Sequence, residues 1–174
     1  MKSRTGNKSS DGVRQILDSL RRIVQSLRVS ARAAEANLGL SGAQLFVLQK
    51  LSEESGLSVN DLAERTLTHQ SSVSVVAARL VDKGLCSRER SAKDARRLEL
   101  SITPAGRAAL RRSPLAAQEK LIEGISRLKE RDRAQLASLL DQLTDLSGIA
   151  REPARMFFDN DSPASNKGKR RQSK

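Results

Sequence analysis

LSVNDLAERTLTHQSSVSVVAARLVDKGLCSRERSAKDARRLELSITPAG, residues 57–106, changes its hydrophobic period partway along, and that change decides the fold. Ser58 to Asp61 has the form of a capping box, which opens a short helix whose inward residues are Leu62 and Ala63. Thr68 can cap a second helix in which Val73, Val76, Ala77 and Leu80 project to one side, and Gly84 stands where a left-handed terminator is wanted. After Gly84 the period falls to two: Leu98, Leu100 and Ile102 alternate with Arg97, Glu99 and Ser101, as in a strand with one buried face. Leu85 to Arg90 is its expected partner strand. Ser91 to Arg96 forms the hairpin tip, with Asp94 suited to turn geometry. Thr103-Pro104 supplies a cap followed by proline at the first helical position, so a helix starts there and is expected to run past Leu110.

Working outward, Val13, Ile16, Leu17, Leu20, Ile23, Val24 and Leu27 keep one stripe on one face of a long helix, and that stripe requires a surface to cover it. Ser41 to Gln44 is a further capping box ahead of Leu45, Leu48 and Leu51, with Gly56 expected to end that helix. Ser113-Pro114 should kink or interrupt the helix begun at Pro104. A last helix carries Leu136, Leu139, Leu140, Leu143 and Leu146 before Gly148. His69 falls towards the inward side of its helix in this reading. The first dozen residues and the stretch from Arg151 to Lys174 are polar and read as disordered tails. Phe157-Phe158 is the one apolar spot in the second tail, which either docks on the body or has no role. Lys167 to Arg171 reads equally as a basic arm for phosphates or as an inert solubilising tail.

The fold class expected is therefore mainly α with a small β-hairpin wing: a winged helix-turn-helix domain plus a helical dimerisation region. The expected division is a tail at 1–12, a dimerisation helix at 13–40, the winged domain at 41–103, C-terminal dimerisation helices at 104–150 and a basic flexible tail at 151–174. Composition narrows the function. A net charge of +12 favours a polyanionic partner, and aromatics at 2% with no Trp or Tyr leave no stacking platform for single-stranded nucleic acid. Duplex DNA is the partner expected. One cysteine and one histidine leave too few soft ligands for a zinc site, so no metal or other cofactor is expected. No apolar run approaches the roughly 20 residues that span a bilayer, and the N-terminus lacks a signal-type apolar segment, so a soluble, cytoplasmic protein with no membrane partner is expected. No nucleophile-base pair or phosphate-cradling glycine loop points to an enzyme.

A helix entering the major groove needs short polar groups outward and a buried inner face. With Val73, Val76 and Leu80 inward, the helical step points Ser71, Ser74, Val75 and Ala78 outward, with Gln70, Ser72 and Arg79 at the flanks. Gln70 suits adenine, the serines suit bases or phosphates, and Val75 suits a thymine methyl. Arg88, Arg90, Lys93, Arg96 and Arg97 cluster around the hairpin and are read as DNA contacts. Cys86 opens a strand with no second cysteine to resolve it, which argues against a redox role. Arg21, Arg22, Arg28 and Arg32 suit a solvated helix face as well as they suit an acid ligand.

The run Leu57 to Arg65, then Ser72-Val-Ser74, Arg79 to Leu85, and Asp94-Ala-Arg96-Arg97 ending in Ile102-Thr103-Pro-Ala-Gly106, resembles the MarR family of transcription regulators. The family pattern has an Asp-x-Arg wing tip followed by a Leu-Thr-x-x-Gly segment, and this chain departs from it only by Ile102. The resemblance implies a homodimer with interlocked first and last helices, recognition helices in successive major grooves and wing arginines in the minor grooves. Arg96 then takes the place of the wing arginine, and Asp94 that of the acid orienting the wing. It implies a repressor on a near-palindromic operator, released in many relatives by a small-molecule effector between the two lobes, although no residue here declares such a site. The alternative reading is a non-specific architectural DNA-binding protein, motivated by the charge and the basic tail.

Overall fold

The computed structural model describes residues 5–91, 94, 96–113, 116–149 and 156–157. Among the described residues, seven helices and a two-stranded antiparallel hairpin run in the order α1 (Thr5–Leu38), α2 (Gly42–Glu53), α3 (Val59–Thr66), α4 (Gln70–Asp82), β1 (Cys86–Arg90), β2 (Leu98–Ile102), α5 (Pro104–Leu110), α6 (Ala117–Ser126) and α7 (Glu130–Leu146). None of these helices is long and apolar enough to cross a membrane.

α2 is the centre of the body. Leu45, Phe46, Val47, Leu48 and Leu51 are all buried, so this helix is covered on nearly every side, as a helix apolar all round must be. Around it close Leu62 of α3, Val73, Val76 and Leu80 of α4, and Leu100 and Ile102 of β2. Both capping boxes form: Gln44 N–H donates to Ser41 Oγ at 3.2 Å and Ser41 N–H to Gln44 Oε1 at 3.0 Å, while Asp61 N–H donates to Ser58 Oγ at 3.2 Å. α4 ends as expected at Gly84, whose φ is +69°. Gly84 N–H reaches Val81 O at 2.8 Å and Leu85 N–H reaches Leu80 O at 3.0 Å, the paired bonds of a Schellman terminator.

Several expectations are corrected. α1 begins at Thr5, so much of the stretch expected to be a disordered tail at 1–12 is helical. α2 stops at Glu53, before Gly56, because Gly56 and Leu57 turn to pair with β2: Leu57 N–H donates to Leu100 O at 3.1 Å and Leu100 N–H to Leu57 O at 2.8 Å. The N-cap of α4 is His69, not Thr68, and His69 is exposed rather than inward. α5 closes at Leu110 instead of running on, and the C-terminal region divides into α6 and α7 as well. The division at Arg127–Lys129 carries neither Gly nor Pro.

α6 starts on Ala116, which has no side chain to cap with, and the body supplies the missing acceptors. Ala116 N–H donates to Gln49 Oε1 and Ala117 N–H to Ser30 Oγ, each at 3.1 Å. Lys50 Nζ adds a charged bond of 2.9 Å to Glu119 Oε1. Burial disfavours the charge on Lys50, yet its bonds to Glu119 and Glu53 prevail and raise its pKa. Side chains of α1 and α2 therefore fix where the C-terminal helices leave the body. α7 itself has no buried residue.

The α3–α4 turn is closed by Leu67 in the left-handed region, with φ +51° and 73% of its surface exposed. A leucine there bears a steric cost that glycine escapes. Leu67→Gly should raise stability by about 1 kcal/mol, read as a higher urea midpoint at unchanged slope. A lower midpoint would show that the leucine side chain contributes more than the strain removes.

Candidate nucleic-acid interface

α4 divides its residues as a groove-reading helix does. Val73, Val76 and Leu80 are completely buried, Ala77 nearly so, while Gln70, Ser71, Ser74, Val75 and Ala78 are exposed and Ser72 and Arg79 lie between. The buried set locks the helix on the body, and the exposed set is short, polar or methyl-bearing. The N-cap, His69, makes no side-chain bond to the first turn, and its neighbours Gln70 and Ser71 are exposed, so the positive end of the helix dipole faces outward.

The hairpin stands beside this helix. β1 and β2 pair in the register Cys86↔Ile102, Arg88↔Leu100 and Arg90↔Leu98, which puts the two arginines on the face that also carries Cys86. Leu100 is buried, so Arg88 lies over the core edge. Together with Ser74, Ala77, Ala78, Val81 and Asp82 it lines a cleft of about 130 Å³ between α4 and the hairpin. The structure thus brings Ser74 and Arg88 together. At the tip, Asp94 Oδ1 accepts the Arg96 N–H at 2.9 Å and Asp94 O accepts the Arg97 N–H at 2.9 Å, so one residue closes the turn twice. The Arg96 side chain is exposed. Lys93 lies outside the described residues.

Arg97 has a different position from its neighbours. Its guanidinium pairs with Asp61, the acid of the α3 capping box, 36 residues away in sequence. Asp61 also accepts the Ser58 N–H at 2.7 Å and the Ser58 hydroxyl at 2.8 Å. Partial burial opposes its charge, but the Ser58 bonds and Arg97 outweigh burial and hold the carboxyl below its usual range. Asp61 therefore joins the wing to the helix-turn-helix. The sequence identified it only as a cap, because its wing partner is remote in the chain. Asp61→Asn should cost about 1 kcal/mol at neutral pH, the usual scale for weakening a cap. A carboxyl with a depressed folded-state pKa contributes above its unfolded pKa and loses that contribution as pH falls through the folded one. The gap between parent and variant in urea midpoint should accordingly shrink from pH 7 to about pH 3; a gap independent of pH would rule out the ionic tie.

Thr103 and Gly106 anchor the other end of the wing. Thr103 N–H donates to Leu85 O at 3.0 Å, its hydroxyl donates to Gly84 O at 2.8 Å, and the same hydroxyl accepts the Gly106 N–H at 3.1 Å. A Cβ on Gly106 would sit 2.3 Å from Leu85 O and 2.8 Å from Ile102 Cγ1, so only glycine allows α5 to approach the wing base this closely. The Ile102-Thr103-x-x-Gly106 segment is thereby explained by geometry. Cys86 is buried at the start of β1, and burial pushes its thiol up to about 12, which leaves essentially no thiolate at neutral pH.

Comparison with known proteins identifies the family. The sequence pattern of the MarR family matches residues 38–97, from the end of α1 through the wing tip. A putative transcriptional regulatory protein for the hcr operon of Thauera aromatica is 32% identical over 120 residues, 69% of this chain and 72% of that protein. The chain belongs to the MarR family. A second relative, the HTH-type transcriptional repressor MdtR of Bacillus subtilis strain 168, is 35% identical over 88 residues, 51% of this chain and 57% of MdtR, so the likeness spans little more than half of that repressor. Among solved structures, a probable transcriptional regulator from Pseudomonas aeruginosa is 31% identical and superposes with a TM-score of 0.52 over 74% of this chain and 96% of its own. MarR-family proteins are DNA-binding transcription regulators rather than enzymes. The stretch matched by the family pattern takes in α4 and the hairpin tip with Asp94 and Arg96.

Proposed function

We propose that this chain is a homodimeric, sequence-specific repressor that acts in the cytoplasm on a near-palindromic duplex operator. The observation that carries the reading is the division of α4 into a buried apolar face and an exposed face of Gln70, Ser71, Ser74 and Val75, with the arginines of the wing beside it. Base edges are read from that exposed face, with Ser72 and Arg79 at its flanks, while Arg88, Arg90, Lys93 and Arg96 meet backbone and minor groove around it. Asp94 orients the tip, and Arg97 contributes by holding the wing to Asp61. Two-fold symmetry places the half-sites about 34 Å apart. That the relative MdtR is named a repressor supports the sign of regulation. Release by a small-molecule effector completes the reading. A cleft of about 500 Å³ beside Leu67, Thr68 and His69 adjoins the start of α4, so an occupant there would bear on the position of the reading helix.

Selection from random duplexes tests the proposal and should enrich an inverted repeat. Equal affinity for unrelated duplexes at moderate salt would overturn it in favour of an architectural role. On the selected operator, Arg96→Ala should lose about 1–3 kcal/mol of binding per half-site, with stability changed by less than about 0.5 kcal/mol because the side chain supports no core. Ser74→Ala should instead shift the preferred base within the half-site.

A further inference from the structure

Met156 and Phe157 fall in a segment expected from sequence to be a flexible tail, yet both pack on the body. Met156 is 4% exposed and belongs to the same core cluster as Phe46 and Leu62. Phe157, half-exposed, walls two hollows at once. One is the 500 Å³ cleft, which it shares with Met156, Ala63, Leu67, Thr68, His69 and Gln118. The other is a smaller hollow bordered by Leu27 and Ala31 of α1, Gly42 of α2 and Ala116 at the start of α6. The pair therefore sits between the helix-turn-helix and α1, which carries one of the exposed apolar stripes. Phe158 and the basic run Lys167 to Arg171 lie outside the described residues.

The pair supplies a thioether and a phenyl ring to a crevice whose other apolar walls are Ala63 and Leu67. Burying a side chain the size of methionine favours the seated arrangement by roughly 10- to 100-fold. The pair belongs to the same chain, so its seating is intramolecular, and a free molecule that takes the crevice must overcome that advantage. On the far wall stand Leu67, which closes the α3–α4 turn in the left-handed region, and His69, the N-cap of α4. What occupies the crevice thus bears on where α4 begins.

We propose that Met156 and Phe157 are a tethered occupant of this crevice, seated when α4 is in its DNA-reading position and displaced when a small apolar aromatic molecule takes their place. The chemistry of that molecule follows from the phenyl ring and thioether it replaces, with Thr68, His69 and Gln118 as the polar groups of the wall. It acts because it binds only the displaced arrangement, and an equilibrium shifts by the difference in affinity for its two states. The coupling to DNA rests on the proposed reading role of α4; the seat and the competition for it do not.

Met1 and Met156 are the two methionines of the chain, so full-length protein isotope-labelled at the methionine methyl groups gives two signals, which Met156→Leu assigns. In the parent the Met156 signal should resist broadening by a soluble gadolinium chelate and should lose that protection as anilinonaphthalene sulfonate is added. The chain has neither Trp nor Tyr, so the fluorescence of this dye reports its affinity without protein emission. Met156→Ser should bind the dye about tenfold more tightly than the parent, the lost seating bias being of that order. Adding Leu67→Asp, which sets a negative charge against the sulfonate on the exposed wall, should reverse the gain and so place the dye in this crevice. Phe157→Ser, at the half-exposed position, should act in the same direction as Met156→Ser and serves if the latter unfolds on heating more readily. With the bias removed each seat is filled about half the time, so the two seats of a dimer should lower operator affinity roughly fourfold. Met156→Leu should restore it. A Met156 signal broadened in the parent would overturn the seat. Equal dye affinity for the parent and Met156→Ser, or saturation by dye with the Met156 signal unmoved, would overturn the competition. Unchanged operator affinity in Met156→Ser would overturn the coupling to α4. Absence of any selected motif in the parent sinks the repressor reading instead, and the seat and the dye are measured without DNA.

Discussion

Gly106→Ala should destabilise the protein by about 3 kcal/mol, towards the upper end for inserting a single methyl into a closed contact. The added carbon would lie 2.3 Å from Leu85 O, which is main chain and already accepts the Thr103 N–H, so no flexible side chain can give way. Relief requires α5 to move off the wing base. That movement strains the Thr103 bonds to Gly84 and Leu85, and through them the junction of α4 with β1. The midpoint of thermal unfolding should fall by about 6–12 °C for a chain of this size. Gly124→Ala in α6 is the matched control: nothing lies within 4 Å of its added carbon, and alanine is the better helix former by about 1 kcal/mol. It should stabilise slightly. A Gly106→Ala protein as stable as the parent would mean that close approach does not require glycine at this position.

The packing at Gly106 also marks the boundary of what the sequence made legible. Features set by neighbours in the chain were readable: both serine capping boxes, the proline at the first position of α5, the Gly84 terminator, and the Val73, Val76 and Leu80 face that seats α4 on the body. Features set across the fold were not. Thr68 looked the better cap by residue type, but the left-handed Leu67 turns the chain one residue later and leaves His69 at the start of α4. Arg97 looked like its neighbours in a basic cluster until Asp61, 36 residues earlier, claimed its guanidinium. The division between α6 and α7 carries no residue that breaks helices. Met156 is buried by surfaces on other elements, which a reading of the polar tail could not reveal.

Leu139→Glu combined with Leu143→Glu should abolish dimerisation and with it tight operator binding, while leaving the protomer folded. Leu136, Leu139, Leu140 and Leu143 lie at helical spacing along one side of α7, and each is exposed in the single chain. Val13, Ile16, Leu17, Ile23 and Val24 do the same along α1, where among the residues of the predicted stripe only Leu27 reaches the buried class. So large a set of unpaired apolar side chains is unusual for a monomer and fits the interlocked helices of the proposed dimer. A two-fold interface places each residue in it twice, so the double substitution alters four positions. At no less than about 1.5 kcal/mol for each buried leucine, the loss is about 6 kcal/mol, or roughly 10⁴-fold in dimer affinity. Because α7 buries nothing in its own protomer, helix content and the core around α2 should be retained. Light scattering at micromolar concentration should show the parent as a dimer and the variant at half its mass, and the variant should bind single half-sites without preference for paired ones. A variant that remains dimeric would place the subunit interface elsewhere, and a parent that is already monomeric would remove the two-fold reading of the operator.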